Sequence, residues 1–107
     1  MNFLPKIEEI LLLAIWKLSA NAYGTTIIEQ IEKDTGSRLV SGSVYSALTR
    51  LKRNGYVAVA KSERNPEQKG RPRIYYELTE SGLHKLAATQ KVTKSMWQGV
   101  PEVEEGS

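Results

Sequence analysis

The stretch Ser41–Thr79, SGSVYSALTRLKRNGYVAVAKSERNPEQKGRPRIYYELT, decides the fold. It reads as a helix, a glycine stop, a strand, a basic polar connection and a second strand. Ser41 is a good N-cap, because its hydroxyl can accept from an otherwise orphan amide of the first turn. Gly55 suits the position just past the helix end, where the chain enters the left-handed region. Taking Val44 as zero and about 100° per residue, Ala47, Leu48 and Leu51 cluster within about 60° of it and form a core stripe. Ser46, Thr49, Arg50 and Arg53 fall on the opposite side, and none is acidic. Small hydroxyls and arginines on the free face of a helix suit a groove lined by base edges and phosphates.

The strands complete the unit. Val57 and Val59 alternate with Ala58 and Ala60, and Ile74-Tyr75-Tyr76-Glu77-Leu78 is rich in strand formers. The connection Asn65–Pro72 is too polar and too interrupted to be buried, so it is expected to project as a loop carrying Lys69 and Arg71, with Arg73 at its end. A helix followed by a protruding hairpin is the winged form of the helix-turn-helix. The expected fold class is therefore mainly α with a small antiparallel β wing.

Charge concentrates on this unit. The chain has 107 residues and a net charge of +3. Residues 38–73 hold nine Lys and Arg against two Glu, a net of +7, while the segments on either side each net −2. That partition is the electrostatic footprint of a polyanion binder. The length fits one domain of ordinary globular composition. Cysteine is absent, which removes disulfides and thiolate metal sites and fits an intracellular, cytoplasmic setting. The longest apolar run, Ile10–Trp16, is too short to span a bilayer.

Outside the central unit, Pro5 fits the first turn of a helix. On that helix Ile7, Ile10, Leu11, Ala14 and Leu18 make one stripe toward the core, and Leu12, Leu13 and Trp16 lie on another side. A second apolar face implies a second burial partner, expected to be another copy of the chain, with the C-terminal helix of the same chain as the alternative. Asn21 is expected to cap a helix from about Ala22 to Asp34, closed by Gly36, with Ile27, Ile28 and Ile31 inward. Arg38-Leu39-Val40 is expected to add a short strand and make the sheet three-stranded. Thr79 can cap a last helix running to about Trp97, with Leu83, Leu86 and Ala87 opening its stripe and Met96 and Trp97 at its far end. Residues 1–98 are thus expected to form the winged-helix domain with its terminal dimerisation helices, and 99–107 an acidic, disordered tail.

The same residues resemble the PadR family of bacterial transcriptional regulators. The resemblance rests on Ala22-Tyr23-Gly24, on Gly42-Ser43-Val44-Tyr45 with Leu48, Leu51, Gly55 and Tyr56, and on Gly70-Arg71-Pro72-Arg73 with Tyr75, Tyr76, Leu78, Thr79 and Gly82. Thr25 stands where the family commonly has an aromatic residue, and Ser41 where proline is common. The resemblance implies a homodimer that binds a palindromic operator on double-stranded DNA, usually as a repressor. It also implies that Tyr45 contacts phosphate and that Arg71 and Arg73 are wing contacts. The single short C-terminal helix matches the compact kind of member. The resemblance also admits a small aromatic or apolar effector between Trp16 and Trp97, and packing alone accounts for the two tryptophans equally well.

The candidate DNA-binding set is therefore Ser41, Ser43, Tyr45, Ser46, Thr49, Arg50, Arg53, Lys69, Arg71 and Arg73. The candidate dimer set is Leu12, Leu13, Trp16, Met96 and Trp97. Enzymatic chemistry finds no support. His84 is the only histidine and Asp34 the only aspartate, and neither Glu8-Glu9 nor Glu104-Glu105 has a nucleophile or metal-ligand set near it in sequence. No cofactor or metal is expected. The alternative is a winged helix used as a protein-interaction module, a role in which the recognition face is usually less basic.

Overall fold

Helix α1, Lys6–Leu18, is the element on which the others pack. The computed structural model describes residues 3–61 and 73–104. Pro5 precedes the helix at φ −56°, and Glu8 and Glu9 place negative charge in its first turn, where the helix dipole favours it. Its buried side is broad: Leu11, Leu12, Ala14 and Ile15 are all in the core. Leu12 is 0% exposed within a single chain, so it has no surface left for a partner and leaves the predicted dimer face. Leu13 and Trp16 stay exposed. The buried arc is wider than the expected stripe and takes in Leu12 and Ile15, because a central helix is covered over a wider arc than a surface helix.

A 3-10 turn, Ser19–Asn21, leads into α2, Gly24–Thr35. Thr26 organises this entry: its Oγ1 donates to the Asn21 carbonyl at 2.6 Å and accepts from the Tyr23 amide at 3.0 Å. The helix thus begins after Tyr23, and Asn21 contributes a carbonyl rather than the predicted side-chain cap. Ile27, Ile28 and Ile31 face the core as expected. Gly36, at φ 78°, closes the helix and donates to the Glu32 carbonyl at 2.8 Å. Lys17 of α1 and Gln30 both reach Asp34, each at 2.8 Å, and these two hydrogen bonds lower the Asp34 pKa below 3.8.

Helix α3 spans Ser41–Arg53. Val40, extended at ψ 130°, is its N-cap, and no side chain caps it. Ser41 is the first helical residue instead of the cap. Val44, Ala47, Leu48 and Leu51 are buried, as the periodicity requires. At the far end Gly55 sits at φ 79° and the Tyr56 amide returns to the Leu51 carbonyl at 2.9 Å.

Strands β1, Val57–Lys61, and β2, Ile74–Leu78, pair antiparallel with Val57 opposite Leu78 and Lys61 opposite Ile74. Among the described residues the sheet has two strands instead of the three expected, and a single isolated bridge adjoins it. Tyr23 bridges to Tyr75, and the Tyr76 amide donates to the Ala22 carbonyl at 2.8 Å. Arg38–Val40 forms no strand.

Helix α4, Glu80–Trp97, starts at Thr79, whose hydroxyl accepts from the Gly82 amide at 3.0 Å and donates to the Gly55 carbonyl at 2.7 Å. Gly82, Leu86 and Thr89 are its buried residues. Leu83 and Ala87, predicted inward, are exposed. Thr89 Oγ1 instead faces the core and accepts from the buried Leu4 amide at 2.9 Å, tying the chain's start to α4.

Candidate nucleic-acid interface

Helix α3 presents its polar face away from α1. Ser41, Ser43, Ser46, Thr49 and Arg53 are exposed along it. Thr49 donates its hydroxyl hydrogen to the Tyr45 carbonyl at 2.9 Å, so its oxygen lone pairs face outward as acceptors. No acidic residue lies in the first turn, and Arg50, Lys52 and Arg53 crowd the last. The face therefore offers hydroxyls at its start and cations at its end.

Arg50 differs from its expected setting. Its Nε donates to Oε2 of Glu8 on α1 at 3.3 Å, with the Glu8 side chain 7% exposed and that of Arg50 43%. It flanks the polar face as half of an ion pair rather than standing freely on it. Glu8 was missed from sequence, although a signal was present. It falls in line with Leu11, Leu12 and Ile15 on α1, and a carboxylate on a core stripe demands a cation from another element.

Tyr45 flanks the other side of α3 and is 49% exposed. Its ring lies against the backbone of Gly24, where an added β-carbon would overlap the phenol oxygen. Glycine at the first position of α2 is what lets the ring approach. Tyr76 lies in the same region, and burial, followed by the proximity of Tyr45, raises its pKa above 10.0. The Tyr76 phenol is therefore a neutral hydrogen-bonding group at physiological pH.

At the base of the wing, Arg73 stacks over the Tyr23 ring at 4.6 Å from its centroid, and Tyr23 meets Tyr75 edge-on at 5.5 Å and 75°. A hydrogen bond with Tyr75, then the Tyr23 hydroxyl, raises the Arg73 pKa further. Arg73 is thus a fixed cation held on an aromatic platform. Tyr23 and Tyr75 as that platform were not anticipated from sequence. Lys69 and Arg71, and the pairing of Arg73 with Glu63 that a hairpin would permit, lie outside the described residues.

The dimer candidates other than Leu12 occupy a different surface. Leu13, Trp16, Met96 and Trp97 are all exposed, with Trp16 at 62% and Trp97 at 64%, and Leu83, outside that set, is exposed as well. A groove of about 360 Å³ runs between α1 and α4, lined by Leu13, Trp16, Leu83, Leu86 and Ala87 with Glu9 and Gln90 at its rim. A second cleft of about 490 Å³ lies between the end of α1 and the hairpin, and Trp16 lines it as well.

Comparison with known proteins agrees with this geometry. Residues 12–88 match the model of the transcriptional regulator PadR-like family. The chain belongs to this family. Among solved structures, a PadR-like transcription factor from Bacteroides fragilis superposes with a TM-score of 0.75 at 30% identity, covering 88% of this chain and 85% of that one. A PadR family regulator from Clostridium difficile gives 0.60 at 27% identity, with 85% and 86% covered. A transcriptional regulator from Clostridium thermocellum, 20% identical, shares the fold at 0.75 with 92% and 93% covered. No curated protein matches the chain. PadR family members are transcription regulators and not enzymes. The PadR-like chain has the mainly helical architecture with a two-stranded antiparallel wing that the sequence implies. Among its described residues no helix is long and apolar enough to cross a membrane.

Proposed function

We propose that this PadR-like protein is a sequence-specific DNA-binding repressor that acts as a homodimer on a palindromic operator. The observation that carries the reading is the polar face of α3. Ser43, Ser46, Thr49 and Arg53 are exposed there, on a helix whose own sequence carries no acidic residue, in the part of the chain that nets +7. In this reading α3 enters the major groove, Tyr45 and Arg73 hold the phosphates on either side, and Lys69 and Arg71 of the wing add contacts to the backbone. Cations on a fixed scaffold position the protein, while hydroxyls and a guanidinium edge read bases.

The exposed apolar surface is what supports a second copy. Leu13, Trp16, Leu83, Met96 and Trp97 form an exposed set on α1 and α4 that a monomer would leave in water. Pairing through it relates two α3 helices by a two-fold axis, which is what a palindrome matches. Trp16 and Trp97 then frame a space for a small planar apolar effector, and occupancy that changes the dimer geometry releases the operator.

Retention on duplex DNA at graded salt tests the reading. Phosphate neutralisation makes log affinity fall linearly with log salt, at about −0.9 per phosphate contact. A flat response would replace DNA by a protein partner for this face.

A further inference from the structure

Glu8 and Arg50 meet between α1 and α3, 42 residues apart in sequence. Glu8 is buried among Leu11, Leu12 and Ile15, and a carboxylate in that setting is costly unless a cation answers it. Arg50 answers through Nε alone. That bond engages the flank of the guanidinium nearest its stem and leaves Nη1 and Nη2 with no protein partner among the described residues. The Arg50 side chain keeps 43% of its surface, so this far edge reaches solvent. Arg50 also lies on one side of α3 with Ser43, Ser46 and Arg53, all three exposed.

An arginine that must read a base has to hold its planar fork at a fixed angle, and it loses rotamer freedom in doing so. A buried carboxylate that grips Nε beforehand sets the plane and removes part of that loss. We propose that Glu8 is a positioning residue for DNA reading, holding Arg50 by Nε so that its Nη1–Nη2 edge faces O6 and N7 of a guanine in the major groove. The inference rests on the DNA-binding function proposed above. A purely structural ion pair would explain the burial of Glu8, but it would not make base preference depend on Glu8.

The test uses a duplex enriched by the wild-type protein from a randomised pool and a scrambled duplex of the same composition. Affinities for both are measured with Glu8→Gln, Arg50→Ala, the double variant and Arg50→Lys, alongside melting curves. Glu8→Gln is expected to lower the ratio of selected to scrambled affinity by about tenfold while leaving the scrambled affinity within about twofold. In the Arg50→Ala background the same change should leave the ratio where Arg50→Ala put it. A wild-type ratio in Glu8→Gln, or a further drop in the double variant, overturns the proposal. If Glu8→Gln does not fold, Arg50→Lys decides: it keeps a cation beside Glu8 but has no fork. Full discrimination by Arg50→Lys overturns the proposal, and its loss supports it. A wild-type protein that enriches no duplex fails the DNA-binding reading itself, and the role of Glu8 falls with it.

Discussion

Gly24 and Tyr45 show how a single hydrogen atom in place of a side chain can position a functional group. The Tyr45 ring occupies the space that any β-carbon at position 24 would need. Gly24→Ala must therefore push Tyr45 off its platform or shift the start of α2. Overpacking of this kind costs about 1–3 kcal/mol, and urea unfolding should show it. In a Tyr45→Ala background the penalty should vanish, because the clashing atoms are gone. An undiminished penalty there would place the strain elsewhere. Where Tyr45 is kept, Gly24→Ala should also weaken DNA binding, since the phenol proposed to meet phosphate has moved.

Helix α4 depends on one hydroxyl at its start. Thr79 accepts from the Gly82 amide and donates to the Gly55 carbonyl, so the same group caps α4 and fixes the turn that ends α3. Its backbone amide adds a bond to the Tyr56 carbonyl at 3.1 Å, and Gly82 packs against that same peptide, where a β-carbon would overlap the Tyr56 oxygen. Loss of an N-cap costs about 0.5–2 kcal/mol, and two bonds are lost here. Thr79→Ala is expected near the upper end of that range by urea midpoint, and Thr79→Ser should restore most of it. A Thr79→Ala protein as stable as wild type would mean that water replaces both bonds. Beyond Thr89 the helix buries little: Val92, Met96 and Trp97 are exposed in the single chain. Its first half belongs to the domain, and its second half has apolar surface to offer a partner.

At the scale of the whole molecule, Trp16 separates folding from assembly. Because Trp16 is 62% exposed in one chain, Trp16→Ala should alter the stability of the dilute monomer by less than about 1 kcal/mol, as for a surface site. At a dimer interface the same truncation should cost about 2 kcal/mol or more of association, the range of an aromatic hot spot. Sedimentation equilibrium across concentration reads the two effects apart, and a wild-type protein that stays monomeric at micromolar concentration would remove the homodimer. Operator geometry follows from the same symmetry. Two recognition helices on one face of B-DNA need half-site centres about 10 base pairs apart, or a multiple of that. Inserting about five base pairs between half-sites turns one of them to the far side of the helix and should abolish tight binding. Affinity that survives the insertion would make the monomer the binding unit.

What the sequence determines by itself is what short-range physics can set. The span of α3, its stripe of Val44, Ala47, Leu48 and Leu51, the left-handed stop at Gly55, the strand propensity of the two runs and the cap at Thr79 each depend on residues within a few positions of one another. The charge partition is a property of composition and needs no fold. The tertiary structure decides the rest. Periodicity gives the angle between two side chains on a helix but not the width of the arc that its neighbours cover, so Leu12 is in the core and Leu83 is out. Strand propensity does not say which segment meets the sheet: Tyr23 bridges to Tyr75, while Arg38–Val40, expected to add a third strand, forms none. Arg50 could be placed on α3 from its spacing, but its grip on Glu8 joins residues brought together only when α1 packs on α3. A buried charge is answered by whichever opposite charge the fold carries to it.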